Sequence, residues 1–142
     1  MLVTMKEILD RAKKDNYGVT SIMVDRSSLS YEDNIAQTKE TVKMCRPLNI
    51  SVEAELGHVG QSEDYSSDGS DHFTKPEEVK KFVEETGIDC LAVAIGTAHG
   101  RYHGTPHIDF DLLKQITDVV DIPLVLHGGS GTGDENLRKA DR

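Results

Sequence analysis

A chain of 142 residues has single-domain length, and 16 Lys plus Arg against 25 Asp plus Glu leave it a formal net charge of −9. That balance excludes the basic face that a nucleic-acid or anionic-membrane surface would need, while 37% hydrophobic residues suffice for a buried core. With no apolar run near the ~20 residues of a spanning helix and no basic-then-apolar leader, the expectation is a soluble cytoplasmic protein with neither nucleic-acid nor membrane partners.

Thr4 and Glu7 have capping-box spacing, and Met5, Ile8, Leu9 and Ala12 follow at helical intervals. They predict a first helix over 4–16, stopped by Asn16-Tyr17-Gly18. Residues 19–25 are a short β-prone run. From Ser30 and Asp33 a helical pattern passes through Ile35, Val42 and Cys45 and ends at Pro47. Residues 51–56 alternate, with Val52, Ala54 and Leu56 on one face and Ser51, Glu53 and Glu55 on the other. Thr74 and Glu77 offer a second capping box, with Pro76 in the first turn, Val79, Phe82 and Val83 as a buried stripe and Gly87 as the stop. Residues 90–95 form a continuous apolar strand. Phe110, Leu112, Leu113, Ile116 and Val120 mark the next amphipathic helix, 123–126 a last buried strand, and 134–142 the start of another helix. Cys45 and Cys90 lie far apart, outside any C-x-x-C spacing, and read as buried thiols.

Strand and helix thus alternate about four times, and continuous apolar strands joined through helices imply a parallel sheet covered on both sides, an α/β fold. A closed (β/α)8 barrel takes ~250 residues, so this chain offers about half the strands. The polar segment 57–73, seventeen positions long, exceeds an ordinary connection and reads as a lid or a disordered insertion.

Candidate chemistry collects just past the strand ends, where the sites of α/β folds lie. His99 follows strand 90–95 within Gly96-Thr97-Ala98-His99-Gly100, and His127 ends strand 123–126 and opens Gly128-Gly129-Ser130-Gly131. Two such histidines could converge on one ion or stand as two hydrogen-bonded imidazoles. Glu53 and Glu55 either form a solvated edge or are buried with a cation or hydrogen bonds to satisfy them. The Gly128–Gly131 run suits phosphate, through backbone amides and the Ser130 hydroxyl, or is a tight βα turn without a ligand. Asp64, Asp68 and Asp71 do not match a calcium loop and read as a solvated acidic segment, and His58, His72, His103 and His107 read as surface residues.

Taken in order, Val52-Glu53-Ala54-Glu55-Leu56-Gly57, Glu63-Asp64, Leu91-Ala92-Val93-Ala94-Ile95-Gly96-Thr97-Ala98-His99-Gly100 and Leu124-Val125-Leu126-His127-Gly128-Gly129-Ser130-Gly131 resemble the class II, metal-dependent ketose-bisphosphate aldolases. Fructose-1,6-bisphosphate and tagatose-1,6-bisphosphate aldolases are the two main branches, and the match spans almost all of 19–140. The resemblance implies a (β/α)8 fold, zinc, and cleavage of a ketose bisphosphate to dihydroxyacetone phosphate and glyceraldehyde 3-phosphate. By position, His99 and His127 match two of three zinc histidines and Glu55 a carboxylate near the metal. Glu63 matches the loop carboxylate that moves the proton at the enediolate carbon. Gly100, Gly128, Gly129 and Ser130 fall among the groups that hold the dihydroxyacetone phosphate moiety. Zinc in such a site polarises the ketone while a mobile carboxylate exchanges the proton.

The departures carry equal weight. Members of the family have a catalytic Asp followed at once by the first zinc His on an earlier strand, whereas the only Asp-His dipeptide here is Asp71-His72 in the polar loop. Arg26 and Ser28 stand where the family more often has a small residue and a His. The family separates its first helix from the Ile22-Met23-Val24-Asp25-like strand by several βα units, so roughly 60–80 residues are missing inside the chain at about 30 per unit. The chain also stops before the strand whose loop completes the phosphate site. The implied protein is an internally deleted, C-terminally truncated aldolase, one partial (β/α)8 domain over 1–142 with an N-terminal helix in 1–18 and βα units in 19–142. Its zinc site is expected to be incomplete, its open edges to make it a homo-oligomer or self-associating, and its activity to be low. The competing expectation is a non-catalytic remnant or subunit of the same family.

Overall fold

In the computed structural model, which describes residues 5–14, 18–60, 72–100, 102 and 106–141, strand and helix alternate as the periodicities require. Strands β1 (Ser21–Val24), β2 (Ser51–Leu56), β3 (Cys90–Val93) and β4 (Leu124–Val125) lie side by side in chain order, each neighbouring pair parallel. Parallel neighbours need a crossover. Helices α2 (Tyr31–Cys45), α3 (Pro76–Thr86) and α4 (Phe110–Thr117) supply the three, while α1 (Met5–Lys14) precedes the sheet and α5 (Asp134–Ala140) follows it. This is part of a (β/α)8 barrel wall: four parallel strands with outer helices. Among the described residues, no helix is long and apolar enough to cross a membrane.

The alternation over 51–56 sorts the sheet into two faces. Val52, Ala54 and Leu56 are 1%, 0% and 5% exposed, and with Val24, Leu91, Val93 and Ile95 they join the core formed by Leu9, Ile35, Val42, Cys45, Val79, Phe82 and Ile116 of the helices. The register sets Met23 beside Glu53, Glu53 beside Cys90, Glu55 beside Ala92, and Ala92 beside Val125. Side chains two apart share a face, so the second face carries Met23, Glu53, Glu55, Ala92 and Val125. The helices therefore feed one core on one side of the sheet, rather than covering both faces as continuous apolar strands suggested.

Several elements end where local chemistry dictates. Ser30 caps α2 by accepting from the Asp33 amide and donating to its carboxylate at 2.8 Å, and Pro47 sits in a 3-10 turn, Arg46–Leu48, that closes the helix. Gly87 takes the left-handed conformation, φ 70°, that stops α3. The expected capping box at its start does not form. Lys75 is the cap, with no side-chain bond, and the Thr74 hydroxyl turns to the sheet, donating to the Leu56 carbonyl and accepting from the Ala94 amide at 2.9 Å. Thr4 of the other expected capping box lies outside the described residues. Strand β4 is shorter than the apolar run 123–126: Leu124 and Val125 pair with β3, and Pro123 contributes its carbonyl to the Leu91 amide at 3.0 Å. Cys45 is fully buried, but Cys90 is only half-buried, since its place in the register is on the second face.

Candidate active site

Glu53 and Glu55 project from the second face of β2, and His127 emerges just beyond β4. They meet across 72 and 74 positions of sequence: His127 Nδ1 lies 2.9 Å from Glu55 Oε2, and His127 Nε2 lies 2.9 Å from Glu53 Oε1. Small residues between them make this possible, because Ala92, on the strand separating β2 from β4, fills little of the space above the sheet. Both ring nitrogens thus sit at hydrogen-bond distance from a carboxylate oxygen, so one imidazole bridges the two glutamates. Glu55 is 1% exposed, and its other oxygen accepts from the Val59 amide and, in alternation with Asp25, from the Ser27 hydroxyl, each at 3.0 Å. This satisfies a carboxylate that would otherwise be costly to bury. The Glu53–Glu55 pair is thus a hydrogen-bonded face rather than a solvated edge.

His99 stands beside this group, its ring centroid 5.6 Å from that of His127 and tilted by 48°. Its amide donates to Gly60 O at 2.9 Å, which ties the loop after β3 to the loop after β2. On the β1 side, Ser27 Oγ lies 2.7 Å from Asp25 Oδ1 and 2.9 Å from His58 Nδ1. Partial burial raises the Asp25 carboxyl, but the Ser27 hydroxyl and amide, with the charges of His58 and His127, outweigh it and hold Asp25 below its usual range. Burial first, and Glu53 and Asp89 after it, push the Cys90 thiol up; its sulfur lies 3.9 Å from Glu53 Oε2.

Of the residues singled out from sequence, His99, His127 and Glu55 are brought together. Gly100 and Gly128 both have positive φ, 100° and 68°, and a Cβ on Gly128 would come within 2.3 Å of Ala98 O. Gly129–Gly131 is a 3-10 turn separated from His127 by Gly128 alone, with Ser130 exposed at its surface. Glu63, Asp64, Asp68, Asp71 and His103 lie outside the described residues. His72 and His107 are exposed, but His58 is half-buried and bonded to Ser27 rather than free at the surface. Sequence reasoning paired Glu53 with Glu55 on one strand face but named only Glu55 as a site residue, and it assigned no part to Ser27. The two-residue spacing to Glu55 was the signal for Glu53, and the Asp25-x-Ser27 turn, with the Ser27 amide on Asp25 Oδ1 at 2.8 Å, for Ser27.

Imidazole and carboxylate are the right donors for zinc, but their arrangement does not suit one. Both nitrogens of His127 are engaged by carboxylates, and among the described residues no group of three or more His, Cys, Asp or Glu side chains is placed to hold a metal ion.

A family model described as fructose-bisphosphate aldolase class-II matches residues 3–142. Among solved structures, the YdjI aldolase of Escherichia coli K12 is 40% identical, with a TM-score of 0.77 over 97% of this chain and 46% of its own. A candidate fructose-1,6-bisphosphate aldolase from Coccidioides immitis is 38% identical, with a TM-score of 0.79 over 94% of this chain and 48% of its own. The fructose-bisphosphate aldolase of Campylobacter jejuni is 25% identical, with a TM-score of 0.70 over 96% and 44%. The chain therefore spans about half the length of the solved proteins it matches.

Proposed function

The chain belongs to the class II fructose-bisphosphate aldolase family, and on that premise we propose that it carries the β2–β4 share of an aldolase site. The reaction would be cleavage of a ketose 1,6-bisphosphate to dihydroxyacetone phosphate and glyceraldehyde 3-phosphate. The observation that carries this reading is the convergence of His99, His127 and Glu55 beyond the carboxyl ends of β2, β3 and β4. The phosphate end of the substrate would lie over Gly100, Gly128, Gly129 and Ser130, two of whose glycines have positive φ. Glu63 would move the proton at the carbon that becomes the enediolate. Zinc is the family's metal, and the described residues do not complete a site for it. Turnover should therefore fall well below the ~1–10³ per second of ordinary enzymes, since loss of one proton-transfer group alone costs about 10²–10⁴-fold.

The test is an aldol-cleavage assay on fructose 1,6-bisphosphate with and without added zinc, together with metal analysis of the purified chain. Slow cleavage that His127→Ala abolishes is the expected result, with the zinc series showing how far added metal makes up for the incomplete site. Absence of cleavage, together with no binding of dihydroxyacetone phosphate by calorimetry, would refute the reading. A second reading, a non-catalytic family member, is favoured by the full engagement of His127 by Glu53 and Glu55, and it would be supported by dihydroxyacetone phosphate binding without cleavage.

A further inference from the structure

The loops that present His99 and His127 leave different strands, yet one side chain touches both. Tyr102 Oη accepts from the Ala98 amide at 2.6 Å and stands 2.8 Å from Ala98 O and 2.9 Å from Gly128 O. Ala98 and Gly128 are the residues next to His99 and His127 in the chain. The ring of Tyr102 is also seated: a Cβ on Gly131 would meet its Cδ2 at 2.7 Å. The hydroxyl has one proton for two carbonyls, so it can bond the His99 loop and the His127 loop in alternation while its lone pair keeps the Ala98 amide. The loops also approach each other directly, with Gly128 against the Ala98 backbone, a contact that any side chain at Gly128 would forbid. We infer that Tyr102 is a positioning residue, a clasp that fixes the His99 loop against the His127 turn and so sets the separation of the two imidazoles. This follows from the hydrogen bonds alone and holds whatever reaction the chain performs.

The experiment compares the full chain with Tyr102→Phe, which keeps the ring and removes the hydroxyl. Long-range nitrogen–proton spectra of the histidine side chains are recorded at one fixed pH, with amide hydrogen exchange at Ala98. The clasp predicts that the imidazole resonances of both His99 and His127 shift or broaden, and that protection of the Ala98 amide drops roughly tenfold or more. Amides of α2 and α3 should keep their positions, which separates a positioning role from general destabilisation. Unchanged His99 and His127 resonances in a folded Tyr102→Phe chain would overturn the inference. Should that variant not fold, the unsubstituted chain still decides: an Ala98 amide exchanging as fast as an exposed loop amide would show that the hydroxyl does not hold it.

Discussion

At the scale of single residues, the site is a set of carboxylates with hydrogen-bond partners aimed at them. Asp25 shows the consequence for pH. Its folded pKa lies below the usual aspartate range, so it contributes stability that is present above its unfolded pKa and is lost as pH falls through the folded value. Urea denaturation should therefore show the chain weakening below about pH 4. Asp25→Asn should separate from the unsubstituted chain at pH 6 and converge with it in acid; an equal gap at both pH values would remove Asp25 from this role. Glu53 and Glu55 could be read from sequence as a two-carboxylate strand face, because period two fixes which side chains share a side. Their partner could not. His127 is assigned to them only by the order of strands in the sheet, which residues 51–56 do not encode.

At the scale of elements, helix and strand boundaries followed the periodicity closely where burial enforces it. The run 51–56 is the clearest instance, its expected and observed limits coinciding because both faces are specified. Thr74 is the instructive miss. Its spacing to Glu77 matches a capping box, but a hydroxyl near a helix start can serve a strand end equally well, and here two parallel strands compete for it. Through its amide, which donates to Ala94 O at 2.9 Å, and its hydroxyl, Thr74 fastens the carboxyl ends of β2 and β3 where the site begins. Thr74→Val keeps the shape and strands the buried Ala94 amide, a loss of about 1–3 kcal/mol in the denaturant-derived stability. A change near zero would mean that another acceptor takes the amide. Strand β4 illustrates the opposite limit: its apolar run predicts a full strand, but the ladder with β3 covers only Leu124 and Val125.

At the scale of the molecule, four parallel strands present β1 and β4 each with one strand neighbour, and Met23 on the β1 edge is 38% exposed. Ile8, Leu29 and Leu137 are also exposed, at 42%, 41% and 42%. Open edges and uncovered apolar side chains favour association between copies. Sedimentation velocity over a range of concentrations should show species larger than one chain, and Met23→Lys should reduce them; a single monomeric boundary at every concentration would contradict this. The half-barrel itself was foreseeable, since four α/β alternations are half of eight, but the meeting of two of its strands on one imidazole was not. That meeting, of β2 and β4 at His127, is what the whole fold converges on, and nitrogen-resolved spectra of the His127 ring test it most directly. Glu55→Gln should move chiefly the Nδ1 resonance and Glu53→Gln chiefly Nε2, each carboxylate answering to its own nitrogen. A His127 ring indifferent to both substitutions would contradict the account.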